Sequence, residues 1–345
     1  MRVVVDGMGS DRAPGPEVLG ALRAVRAQPL EVILVGDQQK LEEELLRAGR
    51  TPDDKVSVVH ASQVVTFDDH PAQAFRRKPD SSMRVAVSLV ADGKADAVVS
   101  AGNSGAALAY GLFLLGRILG VERPAIVTVL PTPSGPLVLC DSGANTEPKP
   151  AQLAQFGLLA VAYDRAVHGR ARPRLGLLSN GSEPGKGTPL TRAAHELLTA
   201  AERAKPEAFD YVGYVEGSEV FAGVVDVIAT DGFTGNIVLK TCEGIAESLF
   251  GLVRQEIEAE LGAAAVAATE PALARLGGAI APALAGVAKR IDYAEIGGAL
   301  LAGVQKPVVI AHGRSDATAI GNAIQAAARF AEQKLPEQLA QALKP

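Results

Sequence analysis

At 345 residues, with 48% hydrophobic and 21% charged residues, the chain is globular and has apolar material for a large core. A formal charge of -5, 4% aromatics and no Trp exclude the basic, ring-bearing surface of a nucleic-acid binder. Cys140 and Cys242 make neither a disulfide framework nor a zinc spacing.

The first stretch, MRVVVDGMG, enters a strand pattern at once, so no signal peptide is expected and the protein is expected in the cytoplasm. Strand-like runs at Val3–Val5, Val32–Val35, Val56–Val59 and Ala97–Val99 alternate with helical patterns over 16–27, 38–48 and 82–92. That alternation predicts βαβ crossovers and an open, mostly parallel α/β sheet with helices on both faces. Ala125–Leu130 and Leu137–Leu139 are joined by PTPSGP, too short for a crossover helix, so the two runs should pair antiparallel or put one at an edge. A helix over 150–167, a strand at Leu175–Leu178 and a helix over 189–202 follow.

The run at Val225–Ile228 breaks at Thr230–Asn236 and opens a long helix. Ile237, Thr241, Ile245, Leu249, Leu252, Ile257 and Leu261 recur on it as one stripe, expected to be a buried face. Leu273, Leu276, Ile280, Leu284 and Val287 mark a second helix. Residues 250–292 are thus expected to be a protruding helical pair, packing on a second subunit or resting on a bilayer. A strand at Pro307–Ala311, a helix over 316–333 and a C-terminal tail at 336–345 complete one α/β catalytic unit over 1–335, with or without a division into two lobes.

Five strand ends run into polar, Gly-rich turns that precede helices, where unpaired N–H groups and the helix dipole suit a phosphate. Asp6-Gly-Met-Gly-Ser-Asp11 has Arg12 where a dinucleotide fingerprint needs its third glycine. Ser100-Ala-Gly-Asn-Ser-Gly105 offers Gly102, Asn103 and Ser104, and Asp141-Ser-Gly-Ala-Asn145 forms another turn. Asn180–Thr188 resembles a phosphate-binding loop but is one residue short between its glycines and has Gly187 at the hydroxyl position. Lys186 there fits either an anion contact or a solvated loop. At the opening of the long helix, Asp231, Thr234, Gly235 and Asn236 fit a phosphate cradle or a simple cap. Arg76, Arg77 and Lys78 fit a docking patch for an acidic partner or a solvated loop. His312 fits an acid, a base, a phosphate donor or a structural residue. Asp68-Asp69-His70 has no metal-ligand spacing, and neither metal nor cofactor is expected.

In order along the chain, DGMGSDRAP, RRKPDSSM, SAGNSGAALA, GRILGVERPA, GANTEPKP, DGFTGNIVLKTCEGIA, YAEIGGALLAGV and AHGRSDATAIGNAI resemble the bacterial phosphate acyltransferase family of phospholipid synthesis. Gly7, Ser10, His70 and the turn Asn180–Glu183 depart from that family's pattern. The resemblance implies a fold similar to phosphotransacetylases and to isocitrate and isopropylmalate dehydrogenases. It also implies a cytosolic homodimer able to associate with a membrane, and a membrane-bound glycerol-3-phosphate acyltransferase as partner. The implied reaction converts long-chain acyl-acyl carrier protein and inorganic phosphate to acyl phosphate. Lys186, Asn236, Asp231 and His312 are the catalytic candidates. Asp6, Gly102, Asn103, Ser104, Asn145, Thr234 and Gly235 are candidates for binding substrate, and Arg76, Arg77 and Lys78 for docking the carrier. A short-chain phosphotransacetylase using acyl-CoA, a decarboxylating dehydrogenase and a non-catalytic membrane adaptor are the competing functions.

Overall fold

The computed structural model describes residues 1–183, 185–265, 286 and 297–344. The second helix expected from Leu273 to Val287 lies outside the described residues.

The strands are β1 (Arg2–Asp6), β2 (Glu31–Gly36), β3 (Val56–His60), β4 (Ala97–Ser100), β5 (Ala125–Thr132), β6 (Gly135–Cys140), β7 (Arg174–Leu178), β8 (Asp210–Val215), β9 (Val227–Ala229), β10 (Ala299–Ala302) and β11 (Val308–Ile310). They form one sheet in the order β3-β2-β1-β4-β11-β10-β5-β6-β9-β7-β8. The helices are α1 (Gly15–Ala27), α2 (Gln38–Arg47), α3 (Pro71–Arg77), α4 (Ser82–Ala91), α5 (Ser104–Tyr110), α6 (Pro150–His168), α7 (Pro189–Ala204), α8 (Gly232–Ala265), α9 (Ala317–Glu332) and α10 (Leu335–Ala342). Continuous apolar runs such as Val3, Val4 and Val5 are buried on both faces, as helix-covered parallel strands must be.

β5 and β6 pair antiparallel across the short PTPSGP link. This reversal sends β6, β9, β7 and β8 in the opposite direction to β1, β2, β3, β4 and β11. The Gly-rich turns therefore do not leave one common rim. Ser100 lies beside Ile310, and Ile310 beside Ala299. One residue along β10, Leu300 lies beside Val127, and the row continues through Cys140 and Ala229 to Leu177. The carboxyl ends of both halves thus meet, head to head, along the middle of the sheet.

Two strands carry no clear pattern. β8 is interrupted by Gly213 in an αL conformation (φ 88), and β10 is four residues of Ala and Leu set between glycines, a composition that reads as helix. The segment expected as a tail forms most of α10, which begins one residue earlier and buries Leu335 and Leu339 in the main core. The largest difference concerns α8. Ile237, Ile245, Leu249 and Leu252 of the stripe expected to be buried are 50–56% exposed. α8 instead meets the sheet through Val238 and Leu239, which pack with Leu130, Leu139 and Ile228. Periodicity shows that a stripe wants cover and does not say which element supplies it.

Beneath the turn after β1, Glu17 is fully buried. Its Oε1 accepts the Ser10 N–H at 3.0 Å, and among the described residues its Oε2 meets no donor. Burial, with the nearby Asp6 carboxyl adding to it, pushes Glu17 from its ordinary 4.5 up to about 7. Such a group favours folding fully only below its unfolded pKa, and that contribution is lost as pH rises through about 7. Its full size is about 3 kcal/mol. Glu17→Gln keeps the acceptor and removes the charge, so its unfolding free energy should fall by about 3 kcal/mol less than the parent's between pH 4.5 and 8. Urea titrations across that range check this, and parallel pH profiles for the two proteins would refute it.

Candidate functional site

A cavity of about 320 Å³ opens where the two sets of strand ends meet, within the range of roughly 300–1,000 Å³ common to small-molecule sites. Gly102 and Ser104 after β4 and His312 and Gly313 after β11 form one side. Thr128 to Pro131 of β5 form its floor, Ser142 enters after β6, and α8 closes it with Asn236, Leu239, Lys240, Cys242, Glu243 and Ala246.

The α8 residues fall on two neighbouring strips. Asn236, Lys240 and Glu243 stand four and then three residues apart, and so share one face. Leu239, Cys242 and Ala246 share the adjacent face, roughly 90° around the helix. The cavity consequently has a polar side and an apolar side, the latter completed by Val129, Leu130, Pro131 and Phe221.

Charge on the polar side is gathered around Glu243. Its Oε2 receives the Lys240 ammonium at 2.9 Å and the Arg314 guanidinium at 3.4 Å, and lies 3.8 Å from His312 Nε2. Arg314 also reaches Glu247 at 2.8 Å. Lys240 Nζ is hydrogen-bonded to His312 Nε2. Burial first, and the Lys240 charge second, hold the His312 pKa below its ordinary value, so the neutral imidazole accepts a hydrogen bond from the ammonium. Ser142 Oγ lies 2.6 Å from Thr128 Oγ1 and 3.1 Å from the Ile126 carbonyl, which fixes a hydroxyl at the cavity wall.

Of the residues singled out in the sequence, Gly102, Ser104, Asn236 and His312 are on the wall. Others brace it from behind. Asp6 is buried, and its carboxylate accepts the Ser100 hydroxyl at 2.8 Å while Ser100 Oγ accepts the Gly102 N–H at 3.1 Å. It therefore holds the turn after β4 and does not face the cavity; burial raises its pKa. Asn103 Oδ1 caps α5 through the Ala106 N–H, and its amide donates to the carbonyls of Thr66, Phe67 and Asp69. This grip sets Phe67 at the cavity mouth. Asn145 is buried and donates to Asp141 and the Pro124 carbonyl. Asp231 accepts both the N–H and the hydroxyl of Thr234 at 2.8 Å, the geometry of a helix cap. Gly235 lets α8 start against the Asp141 carbonyl, which a Cβ would strike.

Lys186 is off the wall, exposed, with its ammonium 3.8 Å from Glu183 on the turn after β7. Arg76 and Arg77 are exposed in the last turn of α3, whereas Lys78 is tied to Asp69 at 2.5 Å and to the Val64 carbonyl. Lys240, Glu243, Arg314 and Ser142 were not singled out. Lys240 and Glu243 sit in a helical run, and only knowing which face of α8 turns inward separates them from surface charges. Among the described residues no cluster of three His, Cys, Asp or Glu could hold a metal, and no helix is long and apolar enough to cross a membrane.

The model of the family described as "Fatty acid synthesis protein" matches residues 1–338. The phosphate acyltransferase of Myxococcus xanthus (strain DK1622) is 50% identical over 335 residues, 96% of this chain and 90% of that protein. That of Anaeromyxobacter sp. (strain Fw109-5) is 47% identical over 344 residues, 99% and 91% of the two chains. Among solved structures, a phosphotransacetylase from Streptococcus pyogenes aligns with a TM-score of 0.62 at 20% identity, covering 96% of this chain and 94% of that one. A branched-chain phosphotransacylase from Enterococcus faecalis V583 aligns at 0.58 with 17% identity, covering 97% and 99%. These distant structures share the fold. The whole-length matches at 47–50% identity decide the family: the chain belongs to that of the phosphate acyltransferases.

Proposed function

We propose that the enzyme transfers a long acyl group from acyl carrier protein to inorganic phosphate, releasing acyl phosphate for phospholipid synthesis. The observation that supports this most is the two-sided cavity: cations and hydroxyls along one side of α8, an apolar wall along the other. A phosphate oxygen attacks the thioester carbonyl, the new C–O bond forms as the C–S bond breaks, and the carrier's thiol departs as thiolate. A thiol ordinarily titrates near 8.5, so it leaves without prior protonation. What the reaction needs is phosphate held against the carbonyl and donors aimed at the developing oxyanion.

Lys240 and the Ser104 hydroxyl hold phosphate, Asn236 donates to the oxyanion, and neutral His312, freed as the Lys240 ammonium turns to phosphate, takes the phosphate proton and returns one to sulfur. Lys186, on the outer turn after β7, neutralises charge on the approaching donor. Arg76 and Arg77 meet the acidic carrier, a complementary patch that raises the encounter rate. A second copy of the chain covers Ile237, Ile245 and Leu252, since exposed apolar stripes of this kind mark association surfaces. The protein works in the cytoplasm and at the membrane edge, handing its product to a membrane-bound glycerol-3-phosphate acyltransferase.

Lys240→Ala and Asn236→Ala should each lower kcat by about 100-fold with unchanged melting temperature. Mass detection of acyl phosphate formed from palmitoyl-carrier protein and orthophosphate measures this, and near-normal rates would refute the assignment. Lys186→Ala should act instead on kcat/KM for the carrier substrate.

Because the His312 pKa lies below the ordinary value of about 6.5, the acid limb of the pH–rate profile should lie below that pH. Lys240→Met should raise the His312 pKa, read by NMR of the imidazole. A His312 signal that titrates above 6.5 in the parent protein would contradict the site. Ile245→Asp should convert a dimer to monomers in sedimentation, and an unchanged mass would show that this stripe is not the interface.

A further inference from the structure

The apolar strip of α8 does not end where the cavity does. Leu239, Cys242 and Ala246 line it, and at the same three- and four-residue spacing come Leu249 and Val253, 56% and 46% exposed. From Leu239 to Val253 the strip runs about 21 Å at 1.5 Å per residue. Ala246 stands at the junction between the enclosed and open parts. It is the smallest residue on the strip and lines the cavity together with Leu130, Pro131 and Phe221, the last 42% exposed. The stripe assigned above to a second copy, Ile237, Ile245 and Leu252, is centred on a different side of the helix.

Resting on the acyl-transfer reading, we propose that the acyl chain lies along Leu239, Cys242, Ala246, Leu249 and Val253, and that the small side chain of Ala246 is the gate through which chains longer than the cavity pass. The occupant is the substrate's own chain because the strip is continuous with the polar side, where the thioester must sit. It contains no charged residue over its length. Carbons beyond Ala246 meet a half-open surface, so selectivity among long chains comes from the strip's outer end.

The test compares kcat/KM for butyryl-, octanoyl- and palmitoyl-carrier protein with orthophosphate. Each methylene kept in water forfeits about fourfold in binding. Ala246→Phe should therefore lower the palmitoyl-to-butyryl ratio by at least about tenfold. Val253→Ser, an exposed change that does not threaten the fold, should lower the palmitoyl-to-octanoyl ratio and leave the octanoyl-to-butyryl ratio alone. Ratios that stay at parental values in both folded variants, or losses equal at all three lengths, overturn the proposal while the reaction stands. If the parent consumes none of the three donors, the reaction itself is wrong and the gate with it.

Discussion

The antiparallel ladder between β5 and β6 is the constraint on which the site depends. Only Pro133 and Ser134 separate the two strands, so the chain must turn back on itself, and every parallel strand added beyond β6 runs against those of the first half. Carboxyl ends of strands, where parallel sheets bind ligands, are thereby brought to face one another across β5. The cavity at the centre is lined by turns from two directions, and α8 starts from one half and lies over the junction with the other.

The site is then a matter of which groups face inward and which stand behind them. Asp6, Asn103, Asn145, Asp231 and Thr234 spend their polar atoms on side chains and backbone of the turns around Gly102, Ser104, Phe67 and Asn236. Donors held so rigidly need little rearrangement as charge develops, which is what makes preorganised sites effective. Glu243 has the same relation to Lys240, His312 and Arg314. Its carboxylate lies between the Lys240 and Arg314 charges, limits their mutual repulsion and keeps them beside the neutral His312 ring in a partly buried place.

Much of this was legible in the sequence. The alternation of strand and helix, the antiparallel pair at PTPSGP and the polar turn after each critical strand follow from local chemistry, and the ordered motifs resemble one family along the whole chain. Two things were not. Local pattern says that Asp6 and Asn103 are polar residues in turns, but whether such a side chain points at a ligand or at its own backbone is decided by neighbours distant in the chain, such as Ser100 and Thr66. Helical spacing likewise grouped Ile237, Ile245 and Leu252 into a stripe without revealing that the inward faces belong to Lys240 and Leu239. For the same reason Lys240 and Glu243 passed as ordinary helix charges, while Lys186, prominent in its glycine-rich turn, stands outside the cavity.

The contact between the turns after β1 and β4 limits how this enzyme can vary. Gly9 and Gly102 approach so closely that a Cβ on Gly9 would come within 2.9 Å of the Gly102 nitrogen and 2.8 Å of the Asp6 carboxylate. A side chain cannot be added at Gly9 unless the Gly102 backbone moves, whereas a Cβ on Gly102 would meet nothing nearer than the flexible end of Met83 at 3.1 Å. Descendants of this sequence, natural or engineered, are therefore held to glycine at position 9, and diversity in substrate should accumulate on the β5 and α8 walls, where side chains rather than main chains set the limits.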